Sequence, residues 1–390
     1  MRVVGVLSGT SVDAIDVAAA EVTIDGDRAT MLLLGHVERP WPAGLAERIL
    51  AVLPPSPTTV AELCALDNAI GQAFGAAVAA MIAGLPGGRA DLVASLGQTV
   101  FHDVSGGRCR GSLQLGQPAW IAEATGLPVV SDLRAADVAA GGHGAPLAST
   151  LDALWLAGPG GPRVALNLGG IANATVVFGP GEPVIAFDTG PGNCLLDLAA
   201  ERLTGRRVDS GGALAAAGTV RHDLLERLRS HRYFALPPPK STGRELFDSG
   251  YLDRALAGQG IDAPDLLATL TELTASTVAE ALASYHPAEV IVSGGGARNP
   301  TLLAALRRLQ PGTTWSTSDA RGLPAAAKEA YLVALLGFLT WHNLPGTVPG
   351  PNGRTATGAT HPTVLGRLTP GMSPAPVRVS SVSVREFHAS

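Results

Sequence analysis

Asp188 stands directly before Thr189-Gly190-Pro191-Gly192-Asn193. A carboxylate at the end of an apolar run, set against glycines, can accept a proton or help hold a cation beside a phosphate. Glycine lets the backbone bend sharply and lets N–H groups approach phosphate oxygens. Three more turns share this character: Ser8-Gly9-Thr10-Ser11, Gly169-Gly170 and Gly294-Gly295-Gly296. Asp13 and Asp16 follow the first of them. A single glycine turn after a strand is ordinary in an α/β protein. Several in one chain point to a nucleotide held between two halves. An aspartate beside a turn often does no more than accept its N–H groups, and for Asp13 that role and a functional one stay open. Capping does not account for the glycines beyond Asp188.

The commoner phosphate-binding signatures are missing. No GxxxxGK[ST] occurs, and Lys240-Ser241-Thr242 follows Pro237-Pro238-Pro239 rather than a glycine loop. No GxGxxG opens a strand–helix unit, and the protein-kinase HRD and DFG sets are absent. Cys64, Cys109 and Cys194 are far apart and form no CxxC, which leaves neither a disulfide framework nor a zinc site. No metal-ligand set is assigned.

The elements that must position these residues repeat. Residues 2–7, 16–22 and 30–37 read as three strands joined by turns. Thr59 and Glu62 have capping-box spacing. Leu63, Leu66, Ile70, Phe74, Ala77 and Met81 then mark one face of a long helix that Pro86-Gly87-Gly88 ends. Residues 91–95 read as a strand feeding a turn at Leu96-Gly97-Gln98-Thr99. A helix ends at Gly126, and residues 127–131 read as another strand. From Arg163 the opening pattern returns: strands over 163–168, 174–178 and 183–187, the Asp188 turn, and a helix over 194–203. Residues 290–293, the three glycines and a helix over 301–309 add one more unit. This is repetition of architecture, and it suggests duplication.

Composition bounds the function. The 390 residues carry a net charge of −5, with 46% hydrophobic and 16% charged residues. That excludes a disordered chain and argues against a nucleic-acid binder. The apolar run over 3–7 is too short for a signal sequence, and the one over 69–85 is broken by Gln72 and reads as a buried helix. The expectation is a cytoplasmic, soluble protein with no membrane or nucleic-acid partner.

Taken in order, the motifs resemble those of the anhydro-N-acetylmuramic acid kinase family. They are Ser8-Gly9-Thr10-Ser11 with Asp13 and Asp16, Gly97-Gln98-Thr99, and Asp132, Arg134 and Asp137 leading into Gly141-Gly142 and Gly144-Ala145-Pro146-Leu147. Asn167 to Asn173, Asp188 to Asn193, Lys240 to Glu245, Gly294-Gly295-Gly296 with Arg298-Asn299-Pro300, and Thr357-Gly358-Ala359 complete the set. The chain departs from the family pattern at Ala14, Leu96, Gln117 and His143, where the family usually has Gly, His, an acidic residue and Gln.

The resemblance implies an α/β protein of the sugar kinase, heat-shock chaperone and actin superfamily. Two ribonuclease-H-like (actin-like ATPase) domains, over 1–130 and 131–369, would flank a nucleotide cleft, with a flexible tail over 370–390. It implies hydrolytic opening of a 1,6-anhydro sugar with transfer of the γ-phosphoryl of ATP to O6, in cell-wall sugar recycling. Asp188 matches the catalytic base. ATP and Mg²⁺ would be held by Ser8, Gly9, Thr10, Ser11, Asp13, Asp16, Gly169, Gly170, Asn173, Gly190, Gly192, Asn193, Gly294, Gly295 and Gly296. Gln98, Thr99, Arg134 and Glu329 match sugar-side positions, and a homodimer is expected. The alternatives are a kinase for another anhydro sugar without a lactyl group, or a non-catalytic ATP-binding module. A sugar-responsive repressor is disfavoured, because no helix-turn-helix precedes Val3.

Overall fold

The structure is a computed structural model that describes residues 1–105, 108–238, 240–243 and 245–372. Strands β1 (Arg2–Ser8), β2 (Ile15–Asp25) and β3 (Arg28–Arg39) form the expected antiparallel meander. β4 (Leu92–Ser105) runs parallel to β1, with β5 (Arg108–Leu115) folded back on it, and β6 (Val129–Ser131) runs parallel to β4. In the second half β7 (Arg163–Leu168), β8 (Ile171–Val177) and β9 (Ile185–Pro191) repeat the meander. β10 (Glu289–Ser293) and β11 (Thr314–Thr317) extend it in parallel. The sheets read β12-β6-β4-β1-β2-β3, where β12 is Arg367–Thr369, and β11-β10-β7-β8-β9. Apart from β5 and β12 the two orders are the same, as the ribonuclease-H-like expectation requires.

Both faces of the first sheet are buried. Val4 and Val6 of β1 pack with helix α1 (Val60–Gly84), and Val3 and Leu7 pack on the opposite face with helix α2 (Lys328–Trp341). Strands buried on both sides read as continuous apolar runs, and β1 does. Helix α1 starts where its spacing placed it, with Thr59 Oγ1 accepting the Glu62 N–H at 3.1 Å. Leu66, Ile70 and Phe74 are fully buried along its inner face. By length and composition alone, Val60–Gly84 and Ala263–Ala283 are apolar enough to cross a membrane. Here both bury their apolar faces in protein.

Three expectations are corrected. A cut at residue 130 falls inside β6 and separates α2 and β12 from the sheet they belong to. The reason is physical: the second face of β1 needs an apolar cover, and the cover comes from the far end of the chain. Gly5 makes the close approach possible, since a Cβ there would lie 2.1 Å from the Ala330 carbonyl oxygen. Second, Leu96-Gly97-Gln98-Thr99 is not a turn. It lies within the 14-residue β4, where Leu96 is an extra residue between the pairs Val6–Ser95 and Leu7–Gly97. The resulting bulge is compatible with Gly97 at φ +76°. Third, Thr189-Gly190-Pro191 belongs to β9, with Thr189 bulged between the pairs Asn173–Asp188 and Ala172–Gly190. The expected tail lies outside the described residues from position 373 onward.

Candidate active site

The second sheet carries a polar row across its strands. Ser293, Asn167, Asn173 and Asp188 are successive cross-strand partners on β10, β7, β8 and β9. Directly opposed residues share a face, so the row places Asp188 beside Asn173 and not in a free loop. The Asp188 carboxylate is held on one side only. Its Oδ2 accepts the Thr242 N–H at 2.8 Å and the Ser241 hydroxyl at 2.9 Å. Its Oδ1 has no hydrogen bond among the described residues and is not closed off from solvent. The backbone is fixed as well: the Asp188 N–H donates to the Lys240 carbonyl at 2.9 Å, and the Tyr233 hydroxyl donates to the Asp188 carbonyl at 2.7 Å. Burial pushes the Asp188 carboxyl above its usual range. The two donors oppose that shift, and the charge of Glu245 adds to it.

Lys240 ties this arrangement together. Its ammonium donates to the Tyr233 and Phe234 carbonyls at 3.3 and 3.2 Å and lies 4.7 Å from the centre of the Tyr233 ring. Tyr233, Lys240, Ser241 and Thr242 therefore surround Asp188 from a segment about fifty residues away. The sequence singled out Lys240-Ser241-Thr242 without a role, and no local periodicity could supply one. Arg244 of the same motif lies outside the described residues.

The glycines around Asp188 divide into two kinds. The N–H groups of Gly192, Asn193 and Cys194 donate to the Gly170, Gly169 and Gly170 carbonyls at 2.9, 2.8 and 3.0 Å. They are spent inside the protein, so they brace the Gly169-Gly170 turn and do not face a phosphate directly. Asn193 Nδ2 donates likewise to the Leu168 carbonyl at 2.8 Å. A Cβ on Gly192 would lie 2.3 Å from the Gly169 oxygen, and one on Gly294 (φ +81°) would lie 2.5 Å from Asn167 Oδ1. Gly169-Gly170, Gly190 to Asn193 and Gly294 to Gly296 thus converge on one end of the second sheet.

The first sheet carries the other group. Ser8 is buried at the end of β1, and Thr10 and Ser11 are exposed beyond it. Val12 closes the turn with its N–H on the Gly9 carbonyl at 3.1 Å and a φ of +56°, a strained value for a β-branched residue. Asp13 Oδ1 accepts from Ser11 Oγ and the Ala14 N–H, both at 3.0 Å, which is the local turn role. Gln98 is fully buried, and its Nε2 donates to the Gly9 carbonyl at 3.2 Å and the Thr99 carbonyl at 3.1 Å. It therefore supports the turn and does not open toward a sugar. Thr99 Oγ1 accepts from Gln114 Nε2 at 3.2 Å.

Arg134 and Glu329 stand close enough to act on each other. Burial lowers the Arg134 pKa, and the charge of Glu329 opposes that; a guanidinium stays charged regardless. Glu329 is exposed by its accessible surface, yet its carboxyl is desolvated by the protein atoms around it. Its carboxyl is pushed upward, first by that enclosure and then by the charges of Asp16 and Asp13, against Arg134 and Lys328. His102 and His143 join the same neighbourhood, since burial, then Arg134, then His143 lower the His102 pKa. Asp16 faces His36 (Nε2 to Oδ1, 3.0 Å) and is the cross-strand partner of Glu38. The three could share a cation, with their ligand atoms within 4.8 Å of one another. The sequence missed this grouping because the register of β2 and β3 creates it. Among the described residues no hydrogen bond or ion pair joins the Asp188 group to the Arg134 group.

Two sheets of one strand order, with glycine turns at strand ends in both and the Asp188 carboxylate held beside those of the second, form a duplicated α/β fold of the ribonuclease-H-like kind. The chain belongs to the anhydro-N-acetylmuramic acid kinase family, whose model matches residues 1–371. An anhydro-N-acetylmuramic acid kinase of Streptomyces avermitilis is 55% identical over 95% of both chains. One of Rhodococcus erythropolis is 51% identical over 98% of this chain and 97% of the other. One of Synechococcus elongatus is 42% identical over 94% and 98%. The likeness to one solved structure is loose. An ADPNP-bound activator of 2-hydroxyisocaproyl-CoA dehydratase from Clostridium difficile aligns at 14% identity and a TM-score of 0.41, over 87% of this chain and 94% of that one.

Proposed function

We propose that this kinase opens 1,6-anhydro-N-acetylmuramic acid with water and phosphorylates its O6 from ATP, giving N-acetylmuramate 6-phosphate and ADP. The asymmetry of the Asp188 carboxylate carries the reading. With Oδ2 occupied by two donors, Oδ1 is the oxygen left to take a proton from water. That water forms a bond to the anomeric carbon as the bond from that carbon to O6 breaks. O6 then takes the γ-phosphoryl group, and the proton stays on Asp188 until solvent removes it. Raising the carboxyl pKa by burial brings a weak base nearer to the working pH, which is what general-base catalysis needs.

The rest is positioning and charge neutralisation, the main requirements of phosphoryl transfer. The Gly9-Thr10 and Gly169-Gly170 turns would hold the phosphates from opposite sides, and Gly294 to Gly296 the adenosine side. Mg²⁺ keeps several waters and takes one or two carboxylates together with phosphate oxygens. Asp13 and Asp16, close to the Gly9-Thr10 turn, fit that demand, and the ion would neutralise phosphate charge. Arg134 is suited to grip the lactyl carboxylate of the sugar, with Thr99 and Glu329 beside it. Ligands that touch both the Asp188 group and the Arg134 group would draw the two halves together. We include in this reading a cytoplasmic homodimer acting on small molecules.

An ADP-release assay with the anhydro-muramic sugar, its analogue lacking the lactyl group, and no sugar tests it. Release is expected only with sugar, and faster with the lactyl compound. Equal release with both sugars would remove the lactyl specificity. Nucleotide binding without sugar-dependent release would leave only a binding module.

A further inference from the structure

Gly144 is engaged through both its carbonyl and its N–H by side chains of one short segment. Its carbonyl accepts from Arg134 Nη1 at 2.5 Å, and its N–H donates to Asp137 Oδ2 at 2.7 Å. Asp137 is wholly buried, and its Oδ1 accepts the Thr357 hydroxyl at 2.5 Å. The approach is tight: a Cβ on Gly142 would lie 2.3 Å from Asp137 Oδ2, and Gly144 has a φ of +66°. A buried carboxylate is costly unless donors satisfy it. Here its donors are the N–H of the glycine whose carbonyl fixes Arg134 and a hydroxyl from 220 residues away.

The guanidinium is planar, so tying one terminal nitrogen to a fixed carbonyl limits where its remaining N–H groups point. Arg134 Nε is buried without a hydrogen-bond partner among the described residues. The nitrogen left to meet a ligand is Nη2, which makes no hydrogen bond among the described residues. We propose that Asp137 is the positioning residue of this site: through Gly144 it holds Arg134 with its free N–H groups ready for a substrate carboxylate. Asp137 itself touches no substrate. The inference rests on the reading that Arg134 grips the lactyl carboxylate.

The test measures KM and kcat with the anhydro-muramic sugar, with its analogue lacking the carboxylate, and with ATP. Arg134→Ala is expected to raise KM for the carboxylated sugar by roughly 10–100-fold, the worth of a charge-assisted hydrogen bond. Asp137→Ala is expected to raise the same KM by about 10-fold. It should leave KM for ATP and for the uncharged analogue nearly unchanged. Asp137→Asn keeps an acceptor for the Gly144 N–H and should recover most of the loss. Adding Asp137→Ala to Arg134→Ala should cost little more, because coupled residues are not additive. An equal rise for both sugars, or a full extra loss in the double variant, would overturn the proposal. If Arg134→Ala acts and Asp137→Ala does not, only the positioning role falls. If Arg134→Ala does nothing to the carboxylated sugar, the carboxylate reading falls and takes this proposal with it. Should Asp137→Ala fail to fold, Thr357→Val decides in its place. A selective rise of about 3-fold, the worth of a weaker hydrogen bond, supports the proposal, and no selective rise overturns it.

Discussion

The backbone N–H of Thr242 donates to Asp188 Oδ2 at 2.8 Å across 54 positions of sequence. Together with the Ser241 hydroxyl it gives the carboxylate a held oxygen and an open one. Asp188→Asn preserves an acceptor for both donors and removes the base. Turnover is expected to fall by about 10²–10⁴, the usual worth of a general base. Nucleotide affinity, measured by calorimetry, should stay near the wild-type value. Substantial turnover in this variant would sink the assignment of Asp188.

The pH dependence has a definite sign. Asp188 must be ionised to accept a proton, and burial raises its pKa in the folded state. Activity should therefore fall, as pH drops, at a higher pH than an ordinary aspartate would give. Ser241→Ala removes a donor that opposes the shift, so the acid limb of kcat should move further upward. A limb that stays put or moves down would contradict the hydrogen-bond arrangement. The same shift makes ionised Asp188 a cost to folding at neutral pH. Asp188→Asn is accordingly expected to melt no lower than wild type.

Gly192 lies where two backbones meet. A Cβ there would stand 2.3 Å from the Gly169 carbonyl oxygen and 3.1 Å from the Ala172 nitrogen. Neither neighbour is a flexible side chain, so Gly192→Ala must displace the Gly169-Gly170 turn. A loss of about 1–3 kcal/mol is expected from such overpacking, with weaker nucleotide binding. Gly181→Ala, at a site with nothing within 4 Å, is the control for the substitution itself, although its φ of +74° adds some strain. Equal effects on nucleotide affinity at both positions would remove the Gly169-Gly170 turn from the phosphate reading.

The strands of both meanders, the Thr59 cap and the helix end at Gly126 were legible because each is set by neighbours within a few residues. The extension of β4 past Ser95 was not, because Gly97-Gln98 looks like a turn until β5 pairs beyond it. Nor was the return of Lys328–Trp341 to β1, which answers an apolar face more than 300 residues earlier. In the candidate site, Asp188 and the glycines stood out by type and spacing. Ser241 and Thr242 acquire their roles only from contacts made across the fold. Gln98 reads as a sugar-side residue and is instead buried beneath the Gly9 turn.

Lys328 and Asp152 form an ion pair at 2.6 Å, with both side chains nearly closed to solvent. Lys328 begins the helix that covers β1, and Asp152 lies on Ala148–Leu156, which also packs against β7 and β8. The pair therefore joins the covering helix of the first sheet to a helix seated on the second. Breaking a buried pair leaves an uncompensated charge, whereas replacing both partners by apolar groups removes the desolvation cost as well. Lys328→Met is expected to lower unfolding free energy by about 3–5 kcal/mol in urea titrations, and adding Asp152→Leu should recover much of that loss. The adjacent Glu329 makes activity a poor readout for this pair, so stability decides. If the single variant unfolds at the wild-type urea concentration, or the double variant is no better than the single, the pair does not join the two halves in the way its geometry indicates.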